Sequence, residues 1–143
     1  MKALRYFVTA ALLGAGWFVV LLIPPWTRQW FLGARRAIGW HIALLTLASV
    51  LVAWIFRSYI GGASGTGQHL KRALLLPYAG CFIYLVLWNV LTCIQATSYG
   101  WPLEIHDMLV LFPWGLSFAL AAFFVVIPYG LLCQYVMVNT LDA

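Results

Sequence analysis

Four stretches without a charged side chain dominate the chain, from about Tyr6 to Ile23, Ala37 to Phe56, Ala73 to Gln95 and Met108 to Val138. A helix of about 20 apolar residues crosses the hydrocarbon of a bilayer. Lipid offers no partners to backbone polar groups, so each stretch is expected as a helix that satisfies its own. The pattern predicts an all-α membrane protein, a bundle of four transmembrane helices joined by short loops in a single integral membrane domain. The fourth stretch is too long for one perpendicular span and too short for two with a turn. Pro113 fits near its start, and Pro128 predicts a kink in a single tilted helix. A re-entrant break at Pro128-Tyr129-Gly130 is the alternative.

Composition closes off the soluble classes. Hydrophobic residues make up 65% of the 143 and charged residues 8%, against roughly half and a quarter in soluble domains. A chain this long still leaves about a third of its unfolded surface exposed, so the excess cannot be hidden in a core. Disorder needs the opposite balance. The net charge of +5 would raise nucleic-acid binding in a soluble protein. Here every basic residue flanks an apolar run, where topology and lipid headgroups require it, so no nucleic acid is expected. Lys2, Arg5, Arg57, Lys71 and Arg72 fall on one side of a four-span layout, and Arg28, Arg35 and Arg36 on the other with Glu104 and Asp107. That asymmetry places both termini in the cytoplasm. The start Met1-Lys2-Ala3-Leu4-Arg5 imitates a signal peptide. Its apolar run exceeds an h-region of about 7–15 residues and ends in Pro24-Pro25-Trp26 without an A-x-A site, so a retained signal anchor is expected.

Trp26, Trp30, Trp40, Trp101 and Trp114 cluster near the first and third loops, as expected of an aromatic belt at headgroup depth. The segment Trp26–Arg36 mixes aromatics with arginines and reads as a short amphipathic helix along the interface. Ala10 with Gly14, Ala11 with Ala15, Gly39 with Ala43, Ser49 with Ala53 and Gly115 with Ala119 are small-xxx-small pairs. Such pairs let helices approach closely in lipid.

Few residues offer chemistry. Cys81, Cys93 and Cys133 are widely spaced without a CxxC and read as small buried hydrophobes. Gly62 to Gly67 matches the start of a Walker A loop, but Gln68 and His69 stand where Lys and Ser/Thr belong, so Gly61–His69 reads as a flexible connector. His41 lies at the outer end of the second span beside Trp40. A membrane histidine can hold haem or relay protons, yet no second histidine lies at matching depth, and a satisfied interfacial histidine is the plainer reading. Glu104, His106 and Asp107 form the densest polar cluster, a possible metal set. At a helix start the two acids also suit the dipole, and pairing with Arg28, Arg35 or Arg36, or docking of a partner on that outer face, accounts for them.

Asn89, Thr92 and Gln95 recur at spacings of three and form a polar stripe on the third span. In lipid such a stripe turns toward protein or a pathway, with Thr46, Ser49 and Gln134 as expected partners. No span carries a central Asp, Glu, Lys or Arg, which argues against proton-coupled export, pumping or voltage sensing. No nucleophile elbow, H-E-x-x-H or Ser/His/Asp set is present, and no motif resembles a family closely enough to name one. The leading expectation is therefore a non-catalytic subunit without a cofactor, anchoring or stabilising a larger membrane assembly. Its partners would be the lipid bilayer and other membrane subunits or copies of itself. A small oligomeric transporter, channel or lipid-handling protein is the alternative, and a membrane immunity or regulatory protein that binds a toxin or enzyme in the bilayer is a third. The compact form points to a bacterial inner (plasma) membrane.

Overall fold

The computed structural model of the protein describes residues 2–32, 37–62, 65–100, 117, 120 and 122–142. Among them six helices run in the order α1 (Lys2–Leu21), α2 (Pro25–Leu32), α3 (Ile38–Ile55), α4 (Arg57–Gly61), α5 (Thr66–Ser98) and α6 (Phe123–Asp142), without a strand. Four of these, α1, α3, α5 and α6, are long and apolar enough to span a membrane.

The helices form a ring: α1 packs on α3, α3 on α5, α5 on α6, and α6 closes back onto α1. Tyr6, Ala10, Ala53, Ile60 and Met137 make one apolar cluster, so the start of α1 and the end of α6 share one end of the bundle with α4. Phe18, Phe31, Leu44, Leu45, Ala48, Tyr84 and Leu85 make the second cluster, toward the other end. Between 17% and 28% of each span is buried. The rest presents Leu12, Trp54, Phe82, Val90 and Tyr135 outward. An apolar exterior of this kind is stable in lipid and not in water.

The boundaries follow local chemistry. Pro24 and Pro25 stop α1, whose last carbonyls then need partners. Thr27 Oγ1 sits against the carbonyls of Leu21 and Pro24, and Arg28 Nε donates to the Leu22 carbonyl at 2.8 Å. A cation at the C-terminal end of a helix also meets the negative pole of its dipole. α2 makes the first part of the expected amphipathic segment a helix, with Thr27 and Phe31 buried and Arg28 and Gln29 exposed. Phe31 packs edge-on to Phe18 with ring centroids 5.6 Å apart, so α2 turns one face into the end of the bundle.

The third span is longer than its apolar run, since α5 begins at Thr66 and takes in Gly67, Gln68 and His69. The glycine-rich connector is shorter than expected by those residues. Gly65, with φ of 89°, makes the left-handed entry that favours glycine, and its carbonyl accepts from the Gln68 and His69 amides. The fourth span is helical from Phe123 through Pro128 to Asp142, so the break at Pro128-Tyr129-Gly130 does not occur. Its expected start at Met108 and the role of Pro113 lie outside the described residues.

Close approach occurs at Gly14 and not at Gly39, whose added Cβ would meet nothing within 4 Å. A Cβ added at Gly14 would come within 2.8 Å of Thr46 Cα and of Ser49 Cβ, so Gly14 lets α1 and α3 touch backbone to side chain. The same contact accounts for Thr46 and Ser49, which face α1 there. Two tyrosines tie α1 to its neighbours: Tyr6 Oη donates to the Ala53 carbonyl at 3.0 Å, and Tyr129 Oη donates to the Leu13 carbonyl at 2.9 Å.

Candidate functional site

A cavity of about 150 Å³ lies inside the ring, walled by all four spanning helices. Small residues open it: Ala10, Ala48, Gly80 and Gly130, one from each helix, line its wall. Phe31 of α2 and Ile60 of α4 also line it; they belong to opposite apolar clusters, so the space runs along the bundle axis. Pro77 adds to the opening. It lies inside α5 and lines the cavity, and it brings no N–H for the carbonyl four residues back.

The walls are overwhelmingly apolar; Thr27, Ser49, Tyr78 and Tyr84 add hydroxyls, and among these lining residues Gln134 is the one with a buried polar atom that lacks a partner. This side chain is 3% exposed and its Nε2 donates to the Ile60 carbonyl at 3.3 Å. Its Oε1 is buried without a hydrogen-bond partner. The Ile60 carbonyl also accepts from Arg72 Nη1 at 2.9 Å. Arg72 is buried, its guanidinium 4.4 Å from the Tyr59 ring centroid. One carbonyl thus joins α4, α5 and α6 at the end of the cavity nearest the chain termini. Cys81 and Cys133 line the wall as free thiols, in keeping with small hydrophobes.

The polar stripe read from the sequence lies elsewhere. Asn89 is buried, but its Nδ2 donates to the Leu85 carbonyl of its own helix at 2.8 Å, and Thr92 Oγ1 does the same to Trp88 at 2.9 Å. Gln95 is exposed. None of the three lines the cavity, and Thr46, Ser49 and Gln134 are not their partners. Asn89 Oδ1 is left buried without one.

His41 sits inside an aromatic box. Its Nδ1 is 2.7 Å from Tyr84 Oη, Trp88 stacks on the ring at 4.2 Å, and Phe31 meets it edge-on at 5.1 Å. The imidazole joins α3 to α5 and α2, 2% exposed. Arg28 holds the end of α1, as described. Arg35, Arg36, Glu104, His106 and Asp107 lie outside the described residues, as do Trp101, Trp114 and Gly115. Among the described residues no three His, Cys, Asp or Glu side chains gather as a metal site would need.

The sequence named Gln134 only as a partner for the polar stripe. An amide inside the apolar run 123–138 was the available signal for the cavity wall. No family model, curated protein or solved structure matches the chain.

Proposed function

We propose that the protein is a small lipid-handling membrane protein that binds an apolar molecule in the space between its four helices. The central cavity supports this reading. Protein interiors are close-packed, with few voids larger than a water molecule. An apolar void of similar volume takes up benzene, so an apolar guest suits a space of this size.

Photolabelling in lipid nanodiscs with a diazirine-bearing hydrocarbon tests the proposal. Labels are expected on inward residues such as Ala48 and Gly80 as well as on outward ones such as Leu47 and Phe82. Ala48→Phe fills the cavity and removes the inward labels, while Leu47→Phe on the lipid-facing side of α3 leaves them. Labels confined to outward residues sink the proposal.

Anchoring of a larger assembly is the second reading, favoured by the large outward aromatics Trp54, Phe82, Phe123 and Tyr135. Acyl chains cover such residues as well as a partner does, so the cavity is what separates the two readings. A lone chain after purification in mild detergent counts against the subunit role. In either case Lys2, Arg5, Arg57, Lys71 and Arg72 support a cytoplasmic position for both termini in a bacterial plasma membrane. A cysteine placed at Ser58, after replacement of the three native ones, tests the side; labelling of intact cells by an impermeant thiol reagent reverses it.

A further inference from the structure

We infer that the cavity selects a hydroxyl-bearing apolar molecule, an alcohol or a phenol, whose O–H donates to Gln134 Oε1. This rests on the cavity-binding reading and adds a head group to it. Gln134 is nine-tenths buried and more, lines the cavity, and leaves Oε1 without a partner. An amide oxygen only accepts, so the complementary group must donate. The Gln134 amide is not free to turn and present its nitrogen instead, because Nε2 is held at the Ile60 carbonyl. That carbonyl already takes Arg72 Nη1 as well.

The rest of the wall excludes more polar ligands. The space is about 150 Å³, the size that takes a benzene ring, so one ring or a short chain fills it. A second polar group on that body would find mostly apolar neighbours, since the Thr27 and Tyr84 hydroxyls on the wall already hold partners of their own, and would lose most of its hydration unreturned. A carboxylate is disfavoured for another reason: it brings an acceptor to an acceptor, and Arg72, the cation bonded to the Ile60 carbonyl, lies outside the cavity wall with its guanidinium against Tyr59. The expected ligand therefore carries one hydroxyl at the α4 end and hydrocarbon toward Phe31. A membrane alcohol with an aliphatic body and a phenol with an aromatic one share this chemistry.

Competition against the inward photolabel separates the cases. Hexanol and a short alkylphenol are each compared with their own methyl ethers at equal concentration in the nanodisc membrane. Either hydroxyl compound is expected to displace the label at about five- to ten-fold lower concentration than its ether, the value of one buried hydrogen bond. Which of the two shows the larger ratio assigns the source as aliphatic or aromatic. Gln134→Leu is expected to reduce the ratio to about one while keeping displacement by the ethers. Equal potency of alcohol and ether in the wild type overturns the inference, and means that water serves Oε1. A ratio that survives in Gln134→Leu overturns it too. If no inward label forms at all, the cavity-binding reading itself has failed, and this inference with it. The wild-type comparison decides even if Gln134→Leu does not fold.

Discussion

Gly130 of α6 lies directly on the carbonyl of Ala73 in α5. A Cβ at residue 130 would stand 2.5 Å from that oxygen and 3.0 Å from the Pro77 ring. The two features belong together, because Pro77 lacks the N–H that would claim the Ala73 carbonyl. The carbonyl is left facing α6, and only a residue without a side chain lets α6 approach it.

Gly130→Ala should therefore destabilise the bundle by about 1–3 kcal/mol, the cost of overpacking against backbone. Gly80→Ala is the control, since its Cβ would lie 3.7 Å from Val52 Cγ2, an ordinary contact. Reversible unfolding in mixed micelles measures both. Equal effects at the two positions would show that the helices shift freely at the proline.

Tyr84→Phe and Tyr6→Phe each delete one buried hydroxyl and strand its partner. Tyr6 Oη donates to the Ala53 carbonyl in the last turn of α3, where the helical ladder ends, so a cost of about 1–3 kcal/mol is expected. Tyr84 Oη is the partner of His41 Nδ1, and its loss strands a polar atom on a 2% exposed ring, costing about 1–3 kcal/mol. His41→Phe with Tyr84→Phe should recover part of the loss. A Tyr84→Phe effect below about 0.5 kcal/mol would contradict the assignment.

Thr27→Val keeps shape and removes the hydroxyl that lies against the α1 terminal carbonyls. About 1 kcal/mol of stability should go with it, and hydrogen exchange should quicken at the α2 amides first. Unchanged exchange in α2 would mean that Arg28 alone secures the corner.

Arg72→Lys preserves charge and discards the planar group. The lysine cannot lie flat over Tyr59 while donating to Ile60, so a loss of about 1–2 kcal/mol is expected. Lys71→Arg, one residue away on an exposed position, should change nothing. Equal effects would reduce Arg72 to a topology charge.

The spans were legible because lipid forces a simple rule on sequence. Two boundaries came within a residue or so, with Ala37–Phe56 expected and Ile38–Ile55 found. Less visible was anything that depends on shape between helices. Asn89 and Thr92 suggested cross-helix bonds, but a side chain can reach the carbonyl four residues back on its own helix, and spacing does not distinguish the two. The His41–Tyr84 pair spans 43 residues, which no local pattern reports. The inward turn of α2 follows from Phe31 finding Phe18 and Tyr84, a tertiary event. The cavity is subtler still. Its small residues, Ala48 and Gly130 among them, look like packing residues in sequence, and they open space only because the four helices face one another without crossing the centre.

Each spanning helix packs on the one synthesised before it, and α6 then closes on two segments remote in the chain, α1 and α4. The bundle can thus be built in the order of translation, with α3 docking on α1 and α5 on α3 as each enters the bilayer. Tyr129 then reaches back across 116 residues to Leu13, and Trp17 meets its ring edge-on at 4.6 Å. Until that latch closes, the axial space is an open trough of three helices that lipid can fill from the side. The helix made last is thus the one that completes the wall of the axial space.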